Sequence, residues 1–209
     1  MTRLLVATTN RGKLAELSAP LLRLGWETLA LPDVGDVPIA REDGDTFAEN
    51  ARSKALHYAR ATGLAALADD SGLCVDALRG APGVHSARFA GPSATDTQNR
   101  ALLLARMAGA RDRRARFECA LCLAEPVKGG EGRFKLTEVA GSCPGRILPA
   151  EVGTGGFGYD PLFAPEDAAA AGRSFAELPA ADKQRLSHRG VALAALARKL
   201  AARGPESAP

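Results

Sequence analysis

A short polar turn near the start of the chain contains groups that can bind phosphate. It consists of Thr8, Thr9, Asn10, Arg11, Gly12 and Lys13. Residues 3–8 predict a buried strand before it, and leucines at helical spacing predict a helix over residues 13–24 after it. Backbone N–H groups and the helix dipole at such a turn favour an anion, and Lys13 adds a mobile cation. The spacing of a P-loop is absent, so the alternative is an ordinary turn with Asn10 as the helix N-cap.

Two adjacent carboxylates, Asp69 and Asp70, follow the apolar residues 64–68 and precede Ser71. We expect them at the end of a strand, where adjacent side chains point in different directions and so have different roles. Neighbouring carboxylates are costly unless a cation or water compensates them. Mg²⁺ prefers carboxylate oxygens together with phosphate oxygens and water. One Asp can therefore hold a metal or orient a water, and Ser71 can donate to a phosphate; the alternative is a solvated Asx turn.

A glycine-rich loop in the second half of the chain ends in aromatic residues. Three glycines occupy residues 153–156, and the candidate ligand contacts after them are Phe157, Gly158, Tyr159 and Asp160. Glycine lets the backbone approach a ligand closely, while an aromatic ring can stack on a base. The alternative is a flexible turn before a strand over residues 162–164.

A basic segment close to the C-terminus supplies hydrogen-bond donors. Lys183 suits a phosphate, and His188 and Arg189 can donate to an acceptor on a base or to phosphate. The alternative is a polar break between two helices. Taken together, the phosphate turn, the acid pair, the glycine–aromatic loop and the basic segment are the contacts that a nucleoside triphosphate needs.

The composition predicts a globular protein. The 209 residues are 46% apolar and 24% charged, with a net charge of +3. This composition excludes disorder, coiled coil and collagen, and so small a positive surplus does not indicate nucleic-acid binding. Charges interrupt every apolar run, and the N-terminal run is too short for a signal peptide. We therefore expect no membrane association and a cytoplasmic location.

The four cysteines do not resemble a secreted disulfide framework. Cys119 and Cys122 form a CxxC, but they lie in a predicted strand over residues 117–124. Because residues three apart on a strand face opposite sides, we expect thiols of the core in a reducing cytoplasm rather than a metal knuckle or a redox pair.

The elements that must position these groups mix strands and helices. A capping box from Thr46 to Glu49 begins a helix that Gly63 ends, and Thr95 begins a helix that runs through Met107. Pro20 should kink or shorten the first helix. Further strands are expected over residues 26–31, 73–78 and 133–143, loops over 32–45, 80–93 and 111–116, and a glycine-rich turn over 128–132.

The C-terminal part of the chain is expected to be helical over residues 182–203, with a break near 187–190 and a frayed tail at 206–209. The sequence contains no internal repeat and no linker. We therefore expect residues 1–209 to form a single α/β domain.

Seven motifs follow one another along the chain. They are Thr8-x-Asn10-x-x-Lys13, Thr46-Phe47-x-Glu49-Asn50-Ala51, Ala68-Asp69-Asp70-Ser71-Gly72-Leu73, Ala81-Pro82-Gly83, Ser86-Ala87-Arg88, Gly153 to Pro161, and Ser187-His188-Arg189-Gly190. In this order and spacing they resemble the inosine-triphosphate pyrophosphatase family, whose members remove damaged purine nucleotides. The match covers nearly the whole chain, and only segment 125–132, expected as a variable hairpin, matches nothing.

The resemblance implies an α/β fold with an elongated mixed β-sheet flanked by helices, two lobes with an intervening active-site cleft, and a homodimer. It also implies Mg²⁺-dependent hydrolysis of non-standard purine nucleoside triphosphates (ITP, dITP and XTP) to the monophosphate and pyrophosphate. Such an activity cleanses the nucleotide pool, so that damaged purines are not incorporated into DNA or RNA.

The same resemblance implies residue roles. Asp70 is the general base and a magnesium ligand, and residues 8–13 bind the triphosphate. The substrate contacts are Ser71, Phe157, Gly158, Tyr159, Asp160, Lys183, His188 and Arg189. Glu42 aligns best as a further metal ligand, but Asp43 and Asp45 compete for that role. Nothing in the sequence identifies the residue that rejects guanine.

Two other functions fit part of the pattern. A related pyrophosphatase for modified pyrimidines would carry a Ser/Arg-rich phosphate turn in place of residues 8–13. A nucleotide-binding regulator without hydrolysis would need neither Asp70 nor a metal.

Overall fold

The computed structural model describes residues 2–130 and 132–203. Within them six strands form one sheet, accompanied by five α-helices. The strands are β1 (Thr2–Val6), β2 (Trp26–Leu29), β3 (Ala65–Val75), β4 (Arg114–Pro126), β5 (Phe134–Ile147) and β6 (Phe163–Pro165). The helices are α1 (Arg11–Arg23), α2 (Phe47–Thr62), α3 (Asp96–Arg106), α4 (Ala180–Leu186) and α5 (His188–Ala201). The tail expected to fray, 206–209, and one residue of the hairpin 125–132 lie outside the described residues.

The sheet is mixed, as expected. Its strand order is β2-β1-β3-β4-β5-β6. β1 pairs in parallel with β2 and with β3, whereas β5 and β6 are antiparallel. The predicted α/β class with a mixed sheet and flanking helices is confirmed, while the elongated shape and the cleft stay predictions.

The chain divides into two compact units. Unit 1 comprises Met1–Asp70, Cys119–Gly141 and Ala192–Pro209, and unit 2 comprises Ser71–Glu118 and Ser142–Val191. β3, β4, β5 and α5 each contribute residues to both units, and in β3 the boundary falls between Asp70 and Ser71. The prediction of a single domain therefore stays a prediction.

Unit 1 has two apolar clusters. In one, the leucines that predicted α1 are buried, and Leu17 and Leu21 pack with Trp26. In the other, the small residues Ala51 and Ala55 of α2 pack with alanines of β3. Because alanine side chains are short, the helix backbone can approach this strand closely, which brings the polar residues of the same helix face within reach of it.

Unit 2 is built around aromatic rings. Phe117 of β4 lies edge-on to Phe163 of β6, with ring centroids 4.7 Å apart, and Phe163 lies 5.2 Å from Phe175. Leu103 of α3 and Met107 belong to the same cluster. Such ring pairs add about 0.5–1.5 kcal/mol beyond the area that they bury, so this core fixes the segments around it.

The helix boundaries largely agree with the sequence, with two differences. Asn10, Thr46 and Thr95 are the N-caps of α1, α2 and α3, and Gly63 ends α2 in the left-handed conformation. Pro20 does not shorten α1, which continues to Arg23. The C-terminal helices are interrupted at a single residue between α4 and α5, a narrower break than predicted.

Several extended and loop segments differ from the prediction. β4 begins at Arg114, inside the expected arginine-rich loop, where the Arg114 side chain pairs with Asp112. β2 ends two residues early, since Leu31–Val34 form a 3₁₀ helix, and another 3₁₀ helix occupies Gly83–Arg88 within the predicted loop 80–93. None of the described helices is both long and apolar enough to cross a membrane.

Replacing Gly145 of β5 by Ala should destabilise the fold. Its register partner is Pro165 of β6, and an added Cβ would collide with the Phe163 ring and the Ala164 carbonyl oxygen. We expect the free energy of unfolding to fall by about 1–3 kcal/mol, as for other overpacked cores. Chemical denaturation measures the change. The control is Ser142→Ala on the exposed face of the same strand, and an equal loss in both variants would contradict the predicted contact.

Candidate active site

The two adjacent acids lie within β3 and not at its end. β3 is one continuous strand from Ala65 to Val75, so the strand end expected at the acids is wrong, and so is the alternative of a solvated Asx turn. Both carboxylates are buried, with Asp69 1% and Asp70 5% exposed. Burial is possible because each acid has a basic partner on a helix, which lets the strand continue through them. The partners come from different helices, as expected for alternating side chains of a strand.

Asp69 is held by the phosphate-turn lysine. Lys13 Nζ lies 2.6 Å from Asp69 Oδ1, and the Lys13 side chain is only 15% exposed. On its other oxygen, Asp69 accepts a hydrogen bond from the thiol of Cys119 at 3.5 Å. Lys13 is therefore a half-buried, oriented cation rather than a mobile one.

The turn before α1 is held in place by its own side chains. Thr8 Oγ1 accepts from the Asn10 backbone N–H at 3.1 Å, and Asn10 Oδ1 accepts from the Lys13 N–H at 3.0 Å. The interpretation of Asn10 as N-cap is thus confirmed. The backbone N–H groups of Arg11 and Gly12 have no acceptor among the described residues, so they, with the Thr8 hydroxyl hydrogen and the Asn10 amide hydrogens, are available to an anion.

Asp70 is surrounded by three polar residues of unit 1. Asn50 Nδ2 donates to Asp70 Oδ2 at 3.0 Å, and Lys54 Nζ lies 3.5 Å from Asp70 Oδ1. The same Lys54 Nζ lies 3.2 Å from Glu42 Oε1. One buried ammonium group is therefore shared by the carboxylates of Asp70 and Glu42.

The electrostatics of this group follow from burial and from its neighbours. Burial raises the pKa of Asp70, while Lys54, Lys13 and the Asn50 amide act to lower it and Glu42 raises it further; the net pKa is raised. Burial alone would lower the pKa of Lys54, but the surrounding carboxylates outweigh it and raise that pKa. Lys54 is thus charged, and Asp70 holds a proton more readily than an exposed Asp, which suits a group that accepts one.

The carboxylates of unit 1 fit a magnesium ion that arrives with phosphates. Glu42, Asp43 and Asp45 are all exposed, but only Glu42 shares a cation with Asp70, whereas Asp43 and Asp45 have no ion pair with a described residue. No three acids, histidines or cysteines group into a metal cage within 2–130 and 132–203. Mg²⁺ is commonly bound by one or two carboxylates together with substrate phosphates, and the pair of Asp70 and Glu42 fits that pattern.

Sequence reasoning did not predict Lys54 or assign a role to Asn50. Both belong to the buried stripe of α2, which reads Asn50, Ala51, Lys54, Ala55, Tyr58 and Ala59. The available signal was an amide and a lysine, four residues apart, at positions where the 3.6-residue period places core side chains. Polar residues inside an apolar stripe have to be partnered, and here the partner is Asp70.

In unit 2 the glycine-rich loop closes around Asp160. Asp160 Oδ2 accepts from the Phe157 backbone N–H at 2.8 Å and lies 2.6 Å from Lys183 Nζ. A Cβ on Gly156 would collide with this same oxygen, and Gly156 has a φ of 74°. The loop therefore needs glycine at this position.

Two predicted cations face the ring of Phe157. Lys183 Nζ lies 4.5 Å from the ring centroid, and the guanidinium carbon of Arg189 lies 5.9 Å from it. Arg189 Nη2 also donates to Ser71 Oγ at 2.8 Å. Four predicted substrate contacts of unit 2 are thus brought together, and Arg189 is only 2% exposed.

Other predicted contacts have structural partners. The Tyr159 ring is in the core of unit 2, and its hydroxyl donates to the Ser86 carbonyl oxygen at 2.9 Å. The His188 ring stacks on Phe117 with an interplanar angle of 10°. Gly158 is fixed by α3, since its N–H donates to Asp96 Oδ2. Phe157 is therefore the partly exposed ring of this loop.

The CxxC is part of the core. Cys119 and Cys122 belong to different apolar clusters, as their opposite directions on the strand predict. All four cysteines, which the structure describes, are buried thiols that form no disulfide. Burial raises the pKa of Cys74 to about 11, so it is not a reactive thiolate.

Comparison with known proteins agrees with the motifs and the fold. Residues 4–199 match the sequence model of the Ham1 family. The chain belongs to the Ham1 family. It is 51% identical over 196 residues to a dITP/XTP pyrophosphatase of Syntrophobacter fumaroxidans, covering 94% of this chain and 81% of the relative. It is 49% identical to a dITP/XTP pyrophosphatase of Geobacter sulfurreducens, covering 99% and 100%.

A solved structure shows the same fold. The HAM1 protein from Coxiella burnetii superposes with a TM-score of 0.83 at 39% identity, covering 97% of this chain and all of that one. The resemblance that the motifs indicated is therefore confirmed for this Ham1-family chain.

Replacing Lys54 by Met removes the cation that Asp70 and Glu42 share. A buried carboxylate left without its partner costs about 3–5 kcal/mol of stability. Because Lys54 lowers the pKa of Asp70, the loss of Lys54 raises that pKa further. When the pKa of an acid is higher in the folded than in the unfolded protein, the free energy of unfolding falls as the pH rises above the ordinary Asp pKa. Denaturation in acidic and in mildly alkaline buffer should therefore show the larger loss at the higher pH.

The control for this variant is Lys135→Met, which removes an exposed lysine of β5. Its stability should change little at either pH. A pH-independent loss in Lys54→Met would show that Lys54 does not compensate Asp70.

Proposed function

We propose that this chain hydrolyses non-standard purine nucleoside triphosphates, including ITP, dITP and XTP, to the monophosphate and pyrophosphate. The observation that carries the proposal is Asp70, a buried carboxylate with a raised pKa between Lys54 and Asn50. The names of the Syntrophobacter and Geobacter relatives, dITP/XTP pyrophosphatases, support the same activity. The biological role would be to cleanse the nucleotide pool before DNA and RNA synthesis.

In the proposed reaction, water attacks the α-phosphorus and pyrophosphate leaves. Asp70 orients the water and accepts its proton, and its burial favours that transfer. Lys13 and Lys183 neutralise charge on the phosphate oxygens, and the free N–H groups of Arg11 and Gly12 bind the triphosphate. Because these donors are already oriented in the folded chain, they need little rearrangement as charge develops.

Asp70 and Glu42 would hold Mg²⁺. When bound, the ion would neutralise negative charge on the phosphate oxygens.

The residues of unit 2 would recognise the base. Phe157 offers its ring for stacking, and Arg189 and His188 supply donors. A 6-oxo purine presents an acceptor where adenine presents an amino donor, so a donor in the protein pairs with the first and is mismatched with the second. Tyr159, whose ring is enclosed in the core, would contribute through its backbone. The homodimer and the cytoplasmic location stay predictions.

Two competing functions make different predictions in one assay. Incubation with inosine triphosphate and Mg²⁺ should release pyrophosphate. A nucleotide-binding regulator would release none, and a pyrophosphatase for modified pyrimidines would prefer pyrimidine substrates. The phosphate turn, Thr8-x-Asn10-x-x-Lys13 rather than a Ser/Arg-rich turn, favours the purine enzyme.

The enzyme should prefer inosine or xanthosine triphosphate to ATP. Each buried donor that is left mispaired costs about 1–3 kcal/mol, which corresponds to a preference of about 5- to 150-fold per contact. The measurement is kcat/KM for each substrate under the same conditions. Equal values for ATP and inosine triphosphate would contradict the proposed specificity while leaving the fold unaffected.

Asp70→Asn and Asp69→Asn should have different effects. Asp70→Asn keeps the volume but removes the proton acceptor, so turnover should fall by at least about 100-fold. Its stability should change little, because burial already disfavours the Asp70 charge. Asp69→Asn should cost less in rate but more in stability, because it leaves the ammonium group of Lys13 without its carboxylate.

Turnover of inosine triphosphate at saturating Mg²⁺, together with the thermal midpoint, separates the two variants. An inactive Asp69→Asn beside a nearly normal Asp70→Asn would reverse the assignment of the general base.

A further inference from the structure

Two helices of the chain begin in the same way and carry an asparagine at the same position. α2 and α3 each start with a threonine N-cap in a capping box, Thr46 and Thr95. The fourth helical residue is Asn50 in α2 and Asn99 in α3. Both asparagines are buried, with exposures of 1% and 2%. The chain thus provides an internal comparison of one local structure in two places.

In α3 the asparagine anchors the preceding loop. Asn99 Oδ1 accepts from the Ala90 N–H at 2.8 Å, and Asn99 Nδ2 donates to the Ala87 carbonyl oxygen at 3.1 Å. Both ends of the amide bind backbone groups, which is a structural role.

Asn50 makes the equivalent loop contacts and a third one. Its Oδ1 accepts from the Gly44 N–H at 2.9 Å, and its Nδ2 lies 3.4 Å from the Gly44 carbonyl oxygen. Nδ2 also donates to Asp70 Oδ2 at 3.0 Å. The Gly44 N–H requires an oxygen opposite it, so the NH₂ end of the amide must face Asp70.

Gly44 brings the loop close enough for this arrangement. A Cβ on Gly44 would lie 2.9 Å from Asn50 Oδ1 and 2.9 Å from Glu49 Cβ. The backbone two residues after Glu42 is therefore tied directly to the amide that also holds Asp70.

We propose that Asn50 is a positioning residue for Asp70, an inference that rests on the proposed function of Asp70. Its donor holds Asp70 Oδ2, which leaves Oδ1 directed at Lys54. Its acceptor anchors the loop that carries Glu42, whose carboxylate reaches the same Lys54. One buried amide thereby sets the two carboxylates that would bind Mg²⁺ relative to each other.

The matched variants are Asn50→Leu and Asn99→Leu. Each keeps the number and branching of the side-chain heavy atoms and leaves similar loop groups unpaired, so both should lower the thermal midpoint. Asn50→Leu should in addition lower kcat for inosine triphosphate by about 10–100-fold, the usual effect of losing a residue that orients a metal-binding carboxylate. KM should change less than kcat, because Asn50 orients Asp70 and the acidic loop rather than the substrate. Asn99→Leu should keep kcat.

A second measurement does not depend on turnover. Mn²⁺ binding is followed by electron paramagnetic resonance in the presence of the non-hydrolysable α,β-methylene analogue of inosine triphosphate. Asn50→Leu should weaken Mn²⁺ binding by about tenfold or more, and Asn99→Leu should leave it at the wild-type value. Equal Mn²⁺ affinity in both variants would overturn the inference. So would a loss of kcat in Asn50→Leu that is no larger than the loss in Asn99→Leu at a similar decrease in thermal midpoint.

If Asn50→Leu does not fold, Asn50→Asp can be used in its place. It keeps the volume and the acceptor for the Gly44 N–H but cannot donate to Asp70 in its ionised form. We expect a lower kcat than in Asn99→Asp, and indistinguishable kcat values would overturn the inference. A wild-type chain that releases no pyrophosphate would overturn the proposed function instead, so the two failures are distinguishable.

Discussion

Two carboxylates in the middle of a buried strand require compensation, and unit 1 is organised around that need. Lys13 compensates Asp69 through an ion pair, and Lys54 compensates Asp70 while it also pairs with Glu42. Removing such charges from water costs several kcal/mol per ion unless partners and hydrogen bonds replace the water. α1 supplies Lys13 in its first turn, and α2 supplies Lys54 midway along its length. The leucine and alanine clusters beneath these helices hold the lysines in place.

Local chemistry made much of the fold predictable. Thr46 and Thr95 mark helix starts because a threonine oxygen satisfies an exposed N–H, and Gly63 marks an end because glycine adopts positive φ. The strand end predicted at Asp69 and Asp70 was wrong because local chemistry does not decide the structure there. Local propensity favours a turn at Asp69-Asp70-Ser71-Gly72, whereas the strand continues because lysines distant in sequence compensate the acids. A partner that only the folded chain brings near cannot be deduced from the neighbours along the sequence.

The candidate site shows the same division. Lys13, Asp70, Lys183 and Arg189 were predicted because charged residues stood in motifs. In unit 2, Lys183 and Arg189 face the Phe157 ring, and Arg189 also donates to Ser71. Lys54 was missed because it occupies what the helical period marks as a core position. Tyr159 is the opposite case. It was predicted to contact substrate because it is an aromatic residue beside a glycine-rich loop, but its ring lies in the core. Residue type and spacing indicate what a side chain can do, and burial decides which of those uses remains.

The ion pairs of Lys13 with Asp69 and of Lys183 with Asp160 also have an entropic consequence. A free lysine side chain loses up to about 2 kcal/mol of rotamer entropy when it is fixed. Here the carboxylates already fix both lysine side chains. The rotamer entropy is therefore lost on folding, and it is not lost again when a ligand binds. An incoming anion would add a second oxygen partner at a preset ammonium group, which has three N–H donors. A weakly charged ligand would gain little at an ammonium group that already has a carboxylate at 2.6 Å, whereas a triphosphate would bring enough charge density to bind there as well.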